Sequence, residues 1–172
     1  MSQPMSRPAA TEHIPYFTTY ISLVPGDDVL AALSGQIHDT LALLRSIPEE
    51  RAGFRYAPGK WSIREVVAHV SDIERTFAFR AMRFGRQDPT ALPTCRAEED
   101  IRASAFDSCR LADLAEELEH VRMSTIWLLR HLQPDAWLRT GTAEGTISVR
   151  ALAWVIAGHE LHHVRILRER YL

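Results

Sequence analysis

The chain has 172 residues, a formal net charge of −2 and ordinary shares of apolar and charged residues. A chain of this length favours one domain, and it can bury a core without disulfides or a structural metal. Because its basic residues are interspersed with acidic ones, it offers no extended positive surface for phosphates, which argues against nucleic acid as a partner.

The N-terminal sequence and the cysteines bear on cellular location. Residues 1–10 lack the continuous apolar segment of a secretory signal, and no stretch approaches the about 20 apolar residues that span a bilayer. Cys95 and Cys109 do not have the spacing of a zinc site, and two free thiols are favoured over a disulfide between them. We therefore expect a cytoplasmic protein without a membrane partner.

Residues 1–25 combine four prolines with an aromatic patch of Tyr16, Phe17 and Tyr20. Chain termini are commonly poorly ordered unless other contacts hold them. We expect residues 1–15 to form a loose segment and residues 16–172 to form a single domain, with the aromatic patch docked on that domain.

Two amphipathic helices are predicted in the first half of the chain. The turn at residues 25–28 precedes apolar residues that recur every three or four positions up to Ile47, and Pro48 ends this first helix. Ser62 and Glu65 form a capping box at the start of the second helix, which ends near Gly85.

Two further helices follow an irregular stretch, residues 87–107, which contains a short helical turn at residues 98–105. The third helix runs from near Ser108 to Pro134, and the fourth begins at the cap Ser148 after a loop. No segment alternates polar and apolar residues with a period of two, so we expect no sheet. Four apolar stripes can be buried only against one another, which predicts an all-α four-helix bundle.

Three of the eight histidines occupy positions that indicate a metal site. His159 and His163 are separated by four residues, about 40° apart on a helical wheel, within the apolar stripe of the last helix. Such a pair can converge on one ion. His69 faces inward on the second helix, and three imidazoles would leave coordination positions open, as catalytic sites do. The alternative is that the histidines are buried core residues satisfied by hydrogen bonds.

The last helix also contains the sequence His-Glu-Leu-His-His at residues 159–163, which matches the pattern of zinc proteases. We discount a protease, because the few residues after the motif provide no third ligand and no sheet is predicted. Glu160 is nevertheless a candidate catalytic base, and the alternative is a glutamate exposed on the helix surface.

Other polar residues lie near the predicted site. Asp72, on the His69 side of the second helix, is a candidate to orient a ligand or accept a proton, and an ion pair with a nearby arginine is the alternative. Thr76, Arg80 and Arg122 are candidates for substrate binding, the arginines for an anionic group. Salt bridges within the fold are the alternative for both arginines.

Two motifs resemble the DinB/YfiT-like family. The segment Trp61–His69 resembles the start of that family's second helix, and the segment Gly158–His163 resembles its closing motif. The resemblance extends from about Tyr16 to Leu172. It departs after Pro93, where the family has an aromatic and acidic segment and this chain has Thr-Cys-Arg, in a loop that we expect to border the pocket.

The resemblance implies a four-helix bundle with long crossover connections. It implies that His69, His159 and His163 bind one divalent metal ion, which is zinc, nickel, iron or manganese. Many relatives are homodimers, and this resemblance therefore implies a homodimer here as well.

Activities in the family leave the reaction open. Several members are metal-dependent S-transferases or isomerases that use a low-molecular-weight thiol, and others are regarded as metal-dependent hydrolases. We expect an enzyme for a small-molecule substrate in which the metal activates a thiol or water. The alternatives are a metal-binding module without turnover and a scaffold dimer whose histidines bind nothing.

Overall fold

The computed structural model describes residues 5–172, and most of that chain is helical. Short 3-10 turns occupy parts of the connections. The regular elements, in chain order, are α1 (Thr18–Ile21), α2 (Val29–Arg45), α3 (Ile63–Gly85), α4 (Ala97–Ala103), α5 (Leu111–Arg130), the strands β1 (Thr140–Thr142) and β2 (Thr146–Ser148), and α6 (Val149–Ile166), which continues into a π-helical turn (Leu167–Tyr171).

Side-chain caps fix the starts of three long helices where the sequence predicts them. Asp28 accepts hydrogen bonds from the first turn of α2, and Ser62 forms the predicted capping box with Glu65 at the start of α3. The Ser148 hydroxyl accepts a hydrogen bond of 3.0 Å from the backbone N–H of Ala151 in α6. The ends of α2 and α5 fall before the prolines predicted to stop them, because residues just before a proline disfavour helical angles.

The four long helices pack as a bundle with an unusual order. Helix α3 packs against α5 and α6, and α2 packs against the same two helices. Consecutive helices α2 and α3 therefore lie diagonally opposite each other, as do α5 and α6. The connections of residues 46–62 and 131–148 must each cross an end of the bundle. The predicted four-helix bundle with long crossover connections is confirmed.

Helix α6 is the central element of this bundle. Every residue from Val149 to Glu160 is buried, so this helix has no solvent-facing side over three turns. The face that α2 and α3 leave open is covered by α1, which packs closely along α6. Despite its apolar composition α6 is not a membrane span: within residues 5–172 no helix is both long and apolar enough to cross a bilayer.

The prediction of no sheet is wrong. Strands β1 and β2 form an antiparallel hairpin in the connection between α5 and α6, with Gly141 paired to Ile147. Each strand has only three residues, which is too short to show a period of two in sequence. Gly141 is required because an added Cβ would lie 2.1 Å from the ring of Phe84. The hairpin thereby packs on the end of α3.

The loose segment predicted over residues 1–15 does not hold for residues 5–15. Arg7 donates hydrogen bonds of 2.6 Å to the carbonyls of Ile21 and Val24, and its guanidinium lies 4.4 Å from the ring centre of Trp154. Glu12 forms an ion pair with Arg150 of α6. The proline content was misleading, because these arginine contacts anchor the segment without regular structure. Residues 1–4 of the predicted segment lie outside the described residues.

Candidate metal centre

His69, His159 and His163 converge at one point of the bundle core. His159 Nε2 lies 3.0 Å from Nε2 of His69 and 3.1 Å from Nε2 of His163. All three ligand atoms lie within 4.8 Å of one another. Nitrogen ligands 2.0–2.1 Å from a tetrahedral ion are about 3.3 Å apart. The spacing therefore fits a single ion with small adjustments.

The packing of α3 against α6 brings these histidines together across the bundle. His159 and His163 lie one turn apart on α6, while His69 projects from the second turn of α3. Aromatic rings hold two of the imidazoles: the Trp61 ring centre is 4.6 Å from that of His69, and the Tyr20 ring centre is 5.4 Å from that of His159. The ring planes are therefore fixed before any ligand binds.

The environment keeps the imidazoles neutral. Burial, and to a lesser extent the nearby His162, lowers the pKa of His69 to about 4. Burial also lowers the pKa values of His159 and His163 well below the usual value, with further contributions from the neighbouring histidines. Neutral imidazole is the form that binds a metal ion. Three neutral, converging nitrogens are a donor set suited to zinc and to other first-row divalent ions.

Two cavities open beside the histidines. We call the first the histidine cavity: its volume is about 340 Å³ and its lining includes all three histidines. The second, the side cavity, has a volume of about 350 Å³ and lies along α3 between His69 and Arg80. Both cavities share His69, Ile73, Cys95 and Ala97 in their walls. A ligand at the histidines could therefore extend in either direction.

Glu160, the candidate base, is held in a buried network. Its carboxylate accepts a 2.5 Å hydrogen bond from the Thr40 hydroxyl and another from the Gln36 amide, and it lies 2.6 Å from a guanidinium nitrogen of Arg122. The side chain is 1% exposed, so the alternative of a surface glutamate is wrong. Glu160 lines neither the histidine cavity nor the side cavity.

Arg122, a candidate for substrate binding, belongs to the same network. Its guanidinium makes paired hydrogen bonds of 2.8 and 2.9 Å to the Glu74 carboxylate and is fully buried. It lines neither cavity. One arginine thus joins α3, α5 and α6 through two carboxylates, Glu74 and Glu160, which fits the predicted alternative of an inter-helix salt bridge.

Asp72 and Thr76 both line the side cavity, with His69 as a neighbour. Asp72 forms an ion pair of 3.1 Å with Arg75, the predicted alternative, while remaining in the cavity wall. Burial raises the pKa of Asp72, and the ion pair with Arg75 offsets part of this effect. The Thr76 hydroxyl donates a hydrogen bond of 2.9 Å to the backbone carbonyl of Asp72.

Arg80 lines the side cavity and is 2% exposed. It makes hydrogen bonds of 2.6 and 3.0 Å to the two carboxylate oxygens of Glu144 and one of 2.7 Å to the Pro93 carbonyl. Glu144, in the turn of the β1–β2 hairpin, also accepts a hydrogen bond from the backbone N–H of Cys95. Arg80 therefore ties the hairpin and the loop before α4 to α3.

Sequence reasoning did not assign Tyr20, Trp61 or Glu144 to the site, and all three line the histidine cavity. Tyr20 belongs to the aromatic patch, which was expected only to pack on the domain. Trp61 belongs to the segment Trp61–His69, in which only the capping residues and His69 were assigned a role. Glu144 lies in a hairpin turn, where no periodicity indicates direction. Cys95 lies in the loop after Pro93, which was expected to border the pocket, and it lines both cavities. Both cysteines are free, as predicted.

The match to known sequences covers most of the chain. Residues 32–167 match the model of the DinB superfamily. The chain belongs to the DinB superfamily. No curated protein sequence matches it. The first 31 residues, including Tyr16, Phe17 and Tyr20, lie outside the region that matches the DinB superfamily model.

Two solved structures of DinB-like proteins resemble this one. YfiT from Bacillus subtilis, described as a probable metal-dependent hydrolase with an unusual four-helix bundle topology, has 18% identity and a TM-score of 0.64, with 98% of this chain and 94% of YfiT covered. A mycothiol-dependent maleylpyruvate isomerase has 18% identity and a TM-score of 0.66. That match covers 79% of this chain and 58% of the isomerase. At this level of identity the likeness concerns the fold.

Proposed function

We propose that this protein is a metal-dependent enzyme whose divalent ion is held by His69, His159 and His163. The observation that carries the proposal is the convergence of three neutral imidazole nitrogens within 4.8 Å beside two cavities. Three protein ligands next to open space leave room for a further ligand, whereas structural sites are closed by four. This feature favours an enzyme over a metal-binding module without turnover.

A divalent ion bound there would supply Lewis acidity that lowers the pKa of a thiol or water. The reaction we propose is the use of that thiol or water as a nucleophile, in a transferase-like or hydrolase-like reaction on a small molecule. A thiol fits the soft-donor preference of zinc, and a mycothiol-dependent isomerase shares the fold. YfiT, with its probable hydrolase activity, supports the use of water.

The protein's own residues would orient the reactants. Trp61 and Tyr20 fix the imidazole planes of His69 and His159, and Phe77 adds an apolar wall that excludes water. Asp72 is our candidate to take up a proton at its carboxylate, because it lines the side cavity beside His69 and burial raises its pKa. Glu160 has no such access, and we assign it the support of α6.

Elemental analysis of tag-free protein tests the metal site. We expect close to one divalent ion per chain after loading, and none in His159→Ala. His120→Ala is the matched control, because His120 lies on α5 outside both cavities. If the native protein cannot be loaded, the proposal fails. If it is loaded, thiol-transfer and hydrolase substrates are screened with native protein and His159→Ala in parallel.

We also propose that the protein forms a homodimer in a reducing compartment such as the cytoplasm. Phe79, Met123 and Trp127 are each about half exposed. Phe79 lines a groove of about 450 Å³ between α3 and α5, and Met123 and Trp127 are on α5 next in sequence to the groove residues Ser124 and Leu128. An exposed apolar face of this kind is commonly covered by a partner, and a second copy is the occupant we propose. The two free thiols support a reducing compartment.

A further inference from the structure

The charges around the histidine cavity indicate what kind of substrate it takes. The basic side chains that line the histidine and side cavities are Arg80 and Arg96, apart from the histidines. Each already has a carboxylate partner: Arg80 pairs with Glu144 and Arg96 with Glu99. Away from the metal ion, an anionic group of a ligand would therefore find no unpaired arginine or lysine in these walls, and burying an unpaired charge is costly.

The acidic side chains of the histidine cavity add to this effect. Glu144 and Glu98 both line it. Burial raises the pKa of Glu144, but hydrogen bonds from Arg80 and from the Cys95 backbone N–H outweigh this effect, and the net pKa is lowered. Glu144 is therefore ionised at neutral pH. Arg80 does not line the histidine cavity, so a carboxylate on a ligand there would meet the negative side of this ion pair.

The remaining walls of the histidine cavity are apolar and aromatic. They include Tyr16, Phe17, Tyr20, Trp61 and Phe77. Pockets with such walls gain affinity from burying apolar and aromatic surface of the ligand. This combination of paired arginines, acidic side chains and aromatic walls does not suit a dicarboxylate substrate. Such a substrate needs at least one unpaired arginine or lysine in the cavity wall.

We propose that the histidine cavity takes a substrate whose body, away from the metal ion, is uncharged and aromatic or alkyl, and that Glu144 excludes bodies that carry an anionic group. This inference rests on the proposed function of the same site. Arg80 serves here to hold Glu144 in place rather than to bind the substrate. Lys60 lines a separate cavity of about 190 Å³, which shares Trp61 and His163 with the histidine cavity. An anionic ligand of the histidine cavity that reached Lys60 would contradict the proposal.

Hydroxamates test this inference, because one end binds an accessible metal ion while the other probes the cavity. Three probes are compared on zinc-loaded protein by titration calorimetry: acetohydroxamate, 4-carbamoylbenzohydroxamate and 4-carboxybenzohydroxamate. The last two have nearly the same shape and differ in charge. We expect the carbamoyl probe to bind at least tenfold more tightly than acetohydroxamate, and the carboxy probe about tenfold more weakly than the carbamoyl probe.

Glu144→Gln identifies the residue responsible. The substitution retains the shape and leaves Arg80 with an uncompensated charge, so we expect the carboxy probe to bind at least as tightly as the carbamoyl probe. Glu119→Gln is the control, because Glu119 pairs with Arg45 on the exposed surface and lines neither cavity. It should leave the tenfold preference unchanged. The comparison of probes in native protein does not depend on how well Glu144→Gln folds.

The outcomes separate this inference from the proposed function. If acetohydroxamate binds and the carboxy probe binds as tightly as the carbamoyl probe, the charge selectivity is overturned while the metal site stands. If native protein discriminates and Glu144→Gln does so equally, the role of Glu144 is overturned. If no hydroxamate binds to zinc-loaded protein, the open metal site is wrong and both proposals fall.

Discussion

Tyr20 and Gly158 are in direct backbone contact, next to the candidate metal ligand His159. A Cβ added at Gly158 would lie 2.1 Å from the carbonyl oxygen of Tyr20. Because this atom belongs to backbone, it cannot rotate away, and any side chain at residue 158 must displace α1 from α6. Gly158, in the segment that resembles the family's closing motif, thus determines whether the N-terminal segment can cover the candidate metal centre.

We expect Gly158→Ala to lower the free energy of unfolding by about 1–3 kcal/mol through this overpacking. Thermal unfolding measures the loss, and limited chymotrypsin digestion should show faster cleavage after Phe17, which is buried in the native fold. Gly35→Ala is the control: Gly35 lies within α2 with no atom within 4 Å of an added Cβ. That substitution should stabilise by about 0.5–1 kcal/mol, as alanine does in helices. Equal effects of both substitutions would contradict the close contact.

Arg122→Ala should be among the most damaging substitutions in the chain. It leaves the buried carboxylates of Glu74 and Glu160 without a cation, and breaking a buried pair in this way costs about 3–5 kcal/mol. Urea denaturation of metal-free protein measures the change. Arg45→Ala breaks an exposed pair with Glu119 and should cost less than about 1 kcal/mol. A small loss for Arg122→Ala would refute the network.

The ion pair between Arg80 and Glu144 should make stability depend on pH. The pKa of Glu144 in the folded protein is below its ordinary value of 4.5. The contribution of ionised Glu144 to the free energy of unfolding is therefore complete above pH 4.5. It is lost as the pH falls through the pKa of Glu144 in the folded protein. We expect the stability difference between native protein and Glu144→Gln to be constant from pH 7 to about pH 5.5 and to shrink below pH 4.5. Urea titrations of metal-free protein measure it, and a difference that grows in acid would contradict the pairing.

Cys95 should react slowly with alkylating reagents at neutral pH. Burial raises the pKa of its thiol to about 11, an effect that Arg80 only partly opposes. Because the thiolate is the reactive form, the rate of modification by iodoacetamide should rise about tenfold per pH unit from pH 7 to 9 without a plateau. Mass spectrometry after timed labelling of Cys109→Ser reports this rate. A plateau near pH 8 would show that the thiol is activated instead.

The proposed dimer predicts that Trp127→Glu yields monomers. Trp127 is 52% exposed on α5, next in sequence to Leu128 of the groove, and a charge there would oppose burial in an interface. Light scattering after size-exclusion chromatography measures the mass. Leu138→Glu, at an equally exposed leucine outside that groove, should remain dimeric. If the native protein is monomeric at micromolar concentration, that result alone disproves the dimer.

The sequence predicted the four long helices and the inward face of the three histidines because both depend on local periodicity. His159 and His163 share a helical face whatever the rest of the fold does, and Ser62 caps α3 through local hydrogen bonds. Glu160 was different. On a helical wheel Glu160 points away from His159, and the wheel cannot show that α2 covers that side of α6. The unbroken apolar run from Ala151 to Ala157 was the available sign of a helix that is buried on all sides.

Other residues of the histidine cavity come from connections whose sequences show no periodicity. Glu144 reaches the site from a hairpin turn, and Cys95 from an irregular loop, so their positions follow from Arg80 holding both segments. Arg80 was identified as a candidate for an anionic substrate. The anion it binds is part of the chain, which only the three-dimensional arrangement reveals.

His69 and His159 are 90 residues apart in the chain yet their nitrogens are 3.0 Å apart. A metal ion shared by them would join residues that distant in sequence, and because it binds the folded chain and not the unfolded one, it would stabilise the fold in proportion to the logarithm of the free metal concentration. Unlike a disulfide, this link would form and break with metal supply rather than with redox state. Metal limitation would then shorten the lifetime of the folded protein, so that its abundance would follow the availability of the ion it uses.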